Sequence, residues 1–292
     1  MHNKKICDLK DIPGNMTENI LIADENKPSV ELKNRNLKWS MLVRLSMKDG
    51  RIHDCVFRHC IFQDCYLRNV RFRNVNLTGS FFKDCNLSKA TFEACCFWYV
   101  RFSKCWLNYD EILQSIPPET SIALPFLRSL RQNAIEMGEK KIADKVLLRE
   151  IGIEKQELKN QFCAKTKYYK SRFNTIERLF GGLRFLGLQI SGLIWGYGLK
   201  LLNLVASALL AMIVFAIFIF KFGPFVRDGG SAHIDLNFAQ SLYLSVITFT
   251  TLGYGDFTPS SAASYVICAT ESCIGFIFLG FLAASVYRRF AK

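Results

Sequence analysis

The chain has 292 residues, half of them hydrophobic, with 25 phenylalanines and a formal net charge of +13. That length suggests about two domains, and the charges sit mostly upstream of two long apolar stretches. Basic residues beside such stretches face anionic lipid headgroups, and no DNA-reading motif is present, so membrane lipids and not nucleic acid are the expected partner.

The opening MHNKKICDLKDIPGN has no apolar core of signal-peptide type, so nothing there proposes secretion of the first 200 residues, and the region ahead of the apolar stretches is expected in the cytosol. A cytosolic chain rich in cysteine does not imply disulfides.

From Cys55 to Leu107 the sequence repeats every five residues. Apolar centres stand at Phe57, Phe62, Leu67, Phe72, Leu77, Phe82, Leu87, Phe92, Phe97, Phe102 and Leu107, and two places before each is a small or β-branched residue. Neither the helical period of about 3.6 nor the strand period of about 2 yields five, so both positions point into a core whose wall turns a corner at every repeat. The pattern resembles the pentapeptide-repeat family, which implies a right-handed β-helix of square cross-section with four repeats per coil. On that resemblance Cys65, Cys85 and Cys105 form one inner column, with a rung spacing of ~4.8 Å. The phase continues upstream through Leu32, Leu37, Leu42, Met47 and Ile52, but the small-residue rule fails at Arg35 and Leu45. The β-helix is therefore assigned to residues 50–109, and residues 1–49 are set apart as an N-terminal segment of degenerate first coils.

The run HDCVFRHCIFQDC, His53 to Cys65, invites a zinc reading because His and Cys cluster at short spacing. Six of the eleven cysteines, however, occupy the slot that Val, Ala and Ser fill in neighbouring repeats, so volume explains them. Some pentapeptide-repeat proteins resemble duplex DNA in charge, but Arg51 to Leu107 carries nine Lys/Arg against four acids, the wrong sign for that role. The β-helix reads as a rigid module whose cytoplasmic ligand the residues do not name.

From Ser121 to Gln161 the spacing turns helical: Leu127, Leu130, Ala134 and Met137 precede Gly138, and Ile142, Ala143, Val146 and Leu147 follow it. A helical hairpin turning at Gly138, with a packing role, is expected over 121–161. Residues 162–199 begin with the basic, aromatic-interleaved KTKYYKSRFNTIERLF, which reads as a membrane-surface stretch. Leu179 to Gly198 is mostly apolar yet holds Arg184, Gln189 and six glycines. Leu183, Leu186, Ile190, Leu193 and Tyr197 share one helical face, which suits a helix lying in the interface with Trp195 and Tyr197 as anchors; a third crossing is the alternative.

Leu201 to Phe220 and Ala262 to Tyr287 are each long enough for a span of about 20 residues. Glu154 to Lys200 holds nine Lys/Arg against three acids, and Arg288, Arg289 and Lys292 follow the second span, whereas the loop between the spans holds Lys221 and Arg227. Both termini are expected on the cytoplasmic side of a plasma (inner) membrane.

Between the spans, a helix from Phe238 to Thr250 is too short to cross and runs into FTTLGYGDFTP. Irregular backbone at membrane depth is tolerated only where it is buried in protein or lines a watery path. Thr251, Leu252, Gly253, Tyr254 and Gly255 resemble the potassium-channel signature, with Leu252 in place of the usual Val or Ile. Pro259 and Gly275 match the family's post-filter proline and inner-helix glycine, and the whole chain resembles bacterial pentapeptide-repeat potassium channels. The resemblance implies a multidomain membrane protein with a cytoplasmic β-helix, a helical linker and an all-α, two-transmembrane pore at 200–292 that assembles as a homotetramer. It further implies K+ held by main-chain carbonyls of Thr251, Leu252, Gly253 and Tyr254, with Gly253 and Gly255 supplying unusual dihedrals. Thr250, Asp256 and Glu271 would support this filter and Gly275 would act as gating hinge. No cofactor beyond permeant K+ and no catalysis are expected. No regularly Arg-studded span and no GxGxxG after a strand is found, so regulation is expected through the repeats, the hairpin or the interfacial helix.

A membrane scaffold, with a partner-binding β-helix and a pore that mainly sets the tetramer, is the alternative; a strained carbonyl filter argues for conduction. Glu271 lies in the second span, where an unpaired charge costs at least ~2.5 kcal/mol. It shares a face with Gly275, so it either lines the cavity or braces the filter through a hydroxyl such as that of Thr248 or Thr250.

Overall fold

The computed structural model describes residues 5, 6, 8, 9, 12, 17–164, 167–222, 224–227 and 233–290. Most of the opening MHNKKICDLKDIPGN, and the terminal Lys292, lie outside these residues. The chain divides into two compact units, Met1–Gly182 and Leu183–Lys292.

The first unit is built on a four-walled β-helix. One wall stacks Ile20–Ala23, Met41–Val43, Ile61–Gln63, Phe81–Lys83 and Arg101–Ser103 in parallel, each residue pairing with the one a full coil away, as in Leu42↔Phe62 and Phe82↔Phe102. The same stacking recurs on Glu31–Lys33, Arg51–His53, Arg71–Arg73 and Thr91–Glu93. A third wall carries Thr17–Glu18, Asn36–Lys38 and Val56–Arg58, and a fourth is a column of single bridges through Asn26, Ser46, Tyr66, Asn86 and Trp106. In each short strand the central residue is buried and its neighbours are less so, which is the alternation of a pleated wall.

Corners follow from dihedrals. Every fifth residue takes positive φ: Asp54 (52°), His59 (52°), Asp64 (54°), Asn69 (58°), Asn74 (51°), Gly79 (72°) and Asp84 (53°) all do. Asn and Asp tolerate this left-handed region better than other L-residues, so their recurrence lets the chain turn sharply at a fixed interval. Because coils stack in register, phenylalanines meet face to face: ring centroids lie 4.5 Å apart for Phe62–Phe82, 4.9 Å for Phe72–Phe92 and 5.4 Å for Phe82–Phe102. Burying each such side chain contributes about 1.5–3 kcal/mol.

The small-residue slot does more than save volume. Cys65, Cys85 and Cys105 each place Sγ 3.3 Å from a carbonyl oxygen of the preceding coil, those of Leu42, Phe62 and Phe82. Ser80 Oγ makes the same bond to Phe57 at 2.7 Å. Hydrogen bonding with Cys105 and Cys65, together with burial, pushes the Cys85 thiol pKa up, so the sulfur at Cys85 stays protonated. Among the described residues no three His, Cys, Asp or Glu side chains are grouped to hold a metal ion.

The ladder extends upstream of residue 50, which corrects the boundary drawn from the sequence. Leu21 pairs with Met41 and Leu32 with Ile52, so residues before 50 form coils of the same helix. The slot rule breaks at Arg35 and Leu45, but pairing is a main-chain property that survives it: Leu45 is buried in the core, and Arg35 N still donates to Cys55 Sγ at 3.4 Å.

The other end of the β-helix is closed by helices. After α1 (Tyr109–Gln114), α2 (Thr120–Glu136) and α3 (Lys140–Phe162) form a hairpin with Gly138 at φ 74° in the turn. An open coil presents unpaired N–H and C=O groups, and α2 meets them with side chains. Asn133 Oδ1 accepts from Cys105 N at 2.7 Å, while its Nδ2 donates to Cys105 O and to Tyr109 Oη, both at 2.8 Å. Ser129 Oγ accepts from Phe102 N at 2.9 Å and Glu136 from Lys104 N at 3.0 Å. Asn133 is fully buried, and burial pushes the Tyr109 phenol up to about 12. Between the hairpin helices, buried Glu150 is clamped by Arg128 at 2.9 Å and Arg131 at 3.0 Å. A short α4 (Lys167–Arg172) and α5 (Thr175–Trp195) follow.

The second unit contains the end of α5, α6 (Leu201–Phe222), α7 (Phe238–Phe249) and α8 (Ala262–Phe290). Two segments, Leu201–Phe222 and Ala262–Arg288, have the length and hydropathy of membrane-crossing helices, and α5 is not one of them. Pro224–Arg227 pairs antiparallel with His233–Asp235 and Phe257–Pro259, a small sheet drawn from the α6–α7 and α7–α8 connections.

Replacing Asn133 with Leu keeps the branched outline and strips the cap, leaving a buried donor and acceptor of Cys105 unmet. The expected loss is at least about 2 kcal/mol of stability, whereas Gln132→Ala, on the exposed flank of α2, stays within about 0.5 kcal/mol. Denaturant midpoints of the two variants decide this, and equal midpoints would remove the capping role.

Candidate functional site

The site is assembled by α7. Asn237 at its N-cap accepts from Gln240 N at 2.8 Å, and Gln240 Oε1 accepts in return from Asn237 N at 3.0 Å, a capping box that fixes where the helix starts. Its 12 residues rise only ~18 Å, short of the ~30 Å hydrocarbon core, so the chain must continue at depth without helical hydrogen bonds.

Beyond the helix the backbone alternates in handedness. Thr251 (φ 59°), Gly253 (52°) and Gly255 (82°) are left-handed, whereas Leu252 and Tyr254 between them have ordinary negative φ. Alternating the handedness of successive residues turns their carbonyls toward one side, which is the geometry a row of oxygen ligands requires. Thr251 pays most for it, since a β-branched residue rarely enters this region. The N–H groups turn back to the helix: Thr250 N donates to Val246 O at 3.0 Å, Thr251 N to Thr248 O at 3.1 Å and Leu252 N to Ile247 O at 2.9 Å. Among the described residues, no hydrogen bond ends on the carbonyls of Thr251, Leu252, Gly253 or Tyr254. A Cβ at Gly253 or Gly255 meets nothing within 4 Å, and Leu252 and Tyr254 are 61% and 70% exposed, so in one chain this stretch stands free of its own protein.

The supports lie behind it. Tyr243 on α7 lies close enough to the Asp256 carboxylate to interact with it electrostatically, and Asp256 Oδ1 is buried without a hydrogen-bond partner among the described residues. Thr250 Oγ1 bonds Val246 O at 2.7 Å, within its own helix. Glu271 is fully buried between helices, with Oε1 against Ser245 Oγ on α7, and Ser245 Oγ also lies 2.8 Å from Met212 O on α6. The hydroxyl partner is thus Ser245, one turn earlier than the Thr248 or Thr250 suggested by the sequence. Helical phase explains the difference: it is Ser272, the next residue on α8, that reaches Thr248 O at 3.3 Å. Ser245 carried no signal of its own, because a serine in an apolar helix is common.

Gly275 occupies a notch. A Cβ there would fall 1.9 Å from Phe249 O and 2.7 Å from its carbonyl carbon, so α8 touches the last residue of α7 through backbone. Phe278, nearly one turn on, packs edge-on against the Phe249 ring at 5.6 Å.

Known proteins share both halves of this architecture. Residues 204–292 match the family model described as Ion channel, and residues 51–88 match eight copies of the Pentapeptide repeats model. The chain is 34% identical to Voltage-gated potassium channel regulatory subunit KCNG2 of Rattus norvegicus over 38% of its own length and 22% of that protein's. It is 34% identical to Two-pore potassium channel 4 of Arabidopsis thaliana over 25% of its own length and 27% of that protein's. Its C-terminal region is an ion-channel domain homologous to potassium channels. The chain thus joins a pentapeptide-repeat β-helix to a C-terminal region that matches ion channels and carries two helices of membrane-crossing length and hydropathy. The chain spans 22% and 27% of those two relatives' lengths. A solved pentapeptide repeat protein from the cyanobacterium Cyanothece 51142 aligns with 35% of this chain and 91% of its own at 12% identity and a TM-score of 0.23.

The notch makes two glycines of α8 behave oppositely. At Gly280 a Cβ meets nothing within 4 Å, so Gly280→Ala is expected to be neutral or to gain up to about 1 kcal/mol of helix propensity. Gly275→Ala forces α7 and α8 apart and is expected to cost about 1–3 kcal/mol or more. Thermal unfolding of the detergent-solubilised protein ranks them, and a Gly275→Ala melting point at or above that of Gly280→Ala would contradict the contact.

Proposed function

We propose that four copies of this chain surround one axis and conduct K+ through the carbonyls of Thr251, Leu252, Gly253 and Tyr254. The observation that carries the reading is the alternation of φ sign across Thr251, Gly253 and Gly255, placed after a half-length helix and between two span-length helices. An ion shedding its water needs other oxygens at close range, and carbonyls without hydrogen-bond partners are available for it. One chain offers a single row of oxygens, so a ring requires a closed cyclic assembly. The exposure of Leu252 and Tyr254 in the single chain supports neighbours at that position. Asp256 then stands at the outer end of the row, beside Tyr243, and Glu271 braces α7 from behind. The C-terminal end of α7, carrying its partial negative charge, favours a cation on the inner side.

In this reading both termini face the cytoplasmic side of the plasma membrane, which the basic residues of 154–200 and Arg288 support. The β-helix, rigid and capped, serves there as the regulatory module.

Purified protein in liposomes tests the assignment. Potassium flux is expected to exceed sodium flux, and Gly253→Ala, which opposes the left-handed dihedral, is expected to abolish the selective component while the protein still assembles. Equal fluxes of the two ions, or unchanged selectivity in Gly253→Ala, would overturn it.

A further inference from the structure

The last three turns of α5 carry Leu183, Leu186, Ile190 and Leu193, which are 57%, 55%, 48% and 80% exposed. Spaced three or four apart, they form one stripe along the helix. Arg184, Gln189, Gly192 and Trp195 fall on other faces of the same helix. Continuous apolar stripes of this kind are covered by something in a working protein.

Two observations say what covers it. The first is how α5 joins the spans. Ser207 Oγ on α6 donates to Ile194 O at 3.0 Å, the Trp195 ring lies 4.2 Å from that of Phe281 on α8, and the chain reverses through Gly196 (φ 58°), Tyr197 (60°) and Gly198 (79°). These contacts all sit at the last turn of α5 or beyond it, so the helix leaves the bundle instead of packing along α6 or α8. The second is charge. Arg184, Lys200 and Arg288 are all exposed, and the position of a Cβ on Gly198 is 3.7 Å from Arg288 Nη1, so the end of α8 is at the α5–α6 turn. Lys200, Arg288 and the end of the apolar stripe thus meet at the turn where α5 joins the span-length helices.

We propose that α5 lies in the plane of the bilayer at the end of the spans marked by Arg288, with its leucine stripe at the boundary between headgroups and acyl chains and its basic neighbours against anionic headgroups. The covering partner is a lipid surface, an environment suited to a helix with one apolar and one polar face. Arg184 and Gln189, beside the stripe, are tolerated in this position, whereas a crossing helix would carry both through hydrocarbon. The inference rests on the membrane assignment of α6 and α8 and not on ion selectivity.

Single tryptophans at Leu183, Leu186 and Leu193 test it in the full-length protein, reconstituted in vesicles of phosphatidylethanolamine and phosphatidylglycerol whose acyl chains are brominated at shallow or deep carbons. The added fluorescence of all three is expected to be quenched most by shallow bromines and to the same degree. A crossing helix would instead separate the first and last probes by ~15 Å in depth, and an aqueous helix would be quenched by acrylamide and not by lipid; either result overturns the proposal. Replacing phosphatidylglycerol with phosphatidylcholine is expected to weaken the shallow quenching, and no change would remove the anionic-headgroup component. Ion flux recorded on the same vesicles keeps the two readings apart, because flux with aqueous probes rejects only the in-plane helix.

Discussion

Both halves of this protein answer to one constraint: a main-chain N–H or C=O removed from water needs a partner. In the β-helix each coil supplies partners for the next, and the residue in the small slot closes one more carbonyl with a thiol or hydroxyl. Where the coils stop, α2 takes over through Asn133, whose amide does for Cys105 what another strand would have done. Lipid enforces the same rule more strictly, so α6 and α8 are unbroken helices. The stretch after α7 departs from it: its N–H groups from Thr251 to Gly253 are met by the end of the helix, and its carbonyls from Thr251 to Tyr254 are left open. Unmet oxygens in a low-dielectric setting are costly unless a cation visits them, and in the proposed assembly that cost becomes the binding site.

Holding such a stretch in place requires a fixed α7. The helix is tied at its start by the Asn237–Gln240 box, through its middle by Ser245 against Glu271 and Met212, and at its end by the Gly275 notch. Beyond the stretch, Asp256 comes close enough to Tyr243 on the helix to interact with it electrostatically. In this geometry Gly275 has a packing duty whatever bending it also permits. Movement of α8 at this level is transmitted directly to the Phe249 carbonyl, two residues from Thr251, because no side chain lies between to absorb it.

Much of the architecture was legible in the sequence because it is periodic. Eleven apolar centres at a spacing of five specify a core on their own, and two apolar runs flanking TLGYG mark a pore. The first coils are masked in the sequence at Arg35 and Leu45, because the slot rule reads side chains and the ladder beneath them is main chain. The corners carry a further signal: their Asp, Asn and Gly residues have the same period as the core and extend upstream to Asn34 and Asp24. Asn133 and Ser245 were not legible, since a single polar residue in a helix acquires meaning only from what the fold brings opposite it. Glu271 was conspicuous by its charge, but choosing among hydroxyls a turn apart needs the rotation of α8 about its axis.

The open carbonyls are the centre of the account, and direct localisation of ions tests them best. A structure of the assembled protein in a thallium salt, with thallium standing in for K+ and located by anomalous scattering, would show where a cation rests. The account predicts peaks on the assembly axis level with the carbonyls of Thr251 to Tyr254, reduced when sodium replaces thallium. An ordered Thr251–Gly255 stretch with no peak beside it would contradict the account.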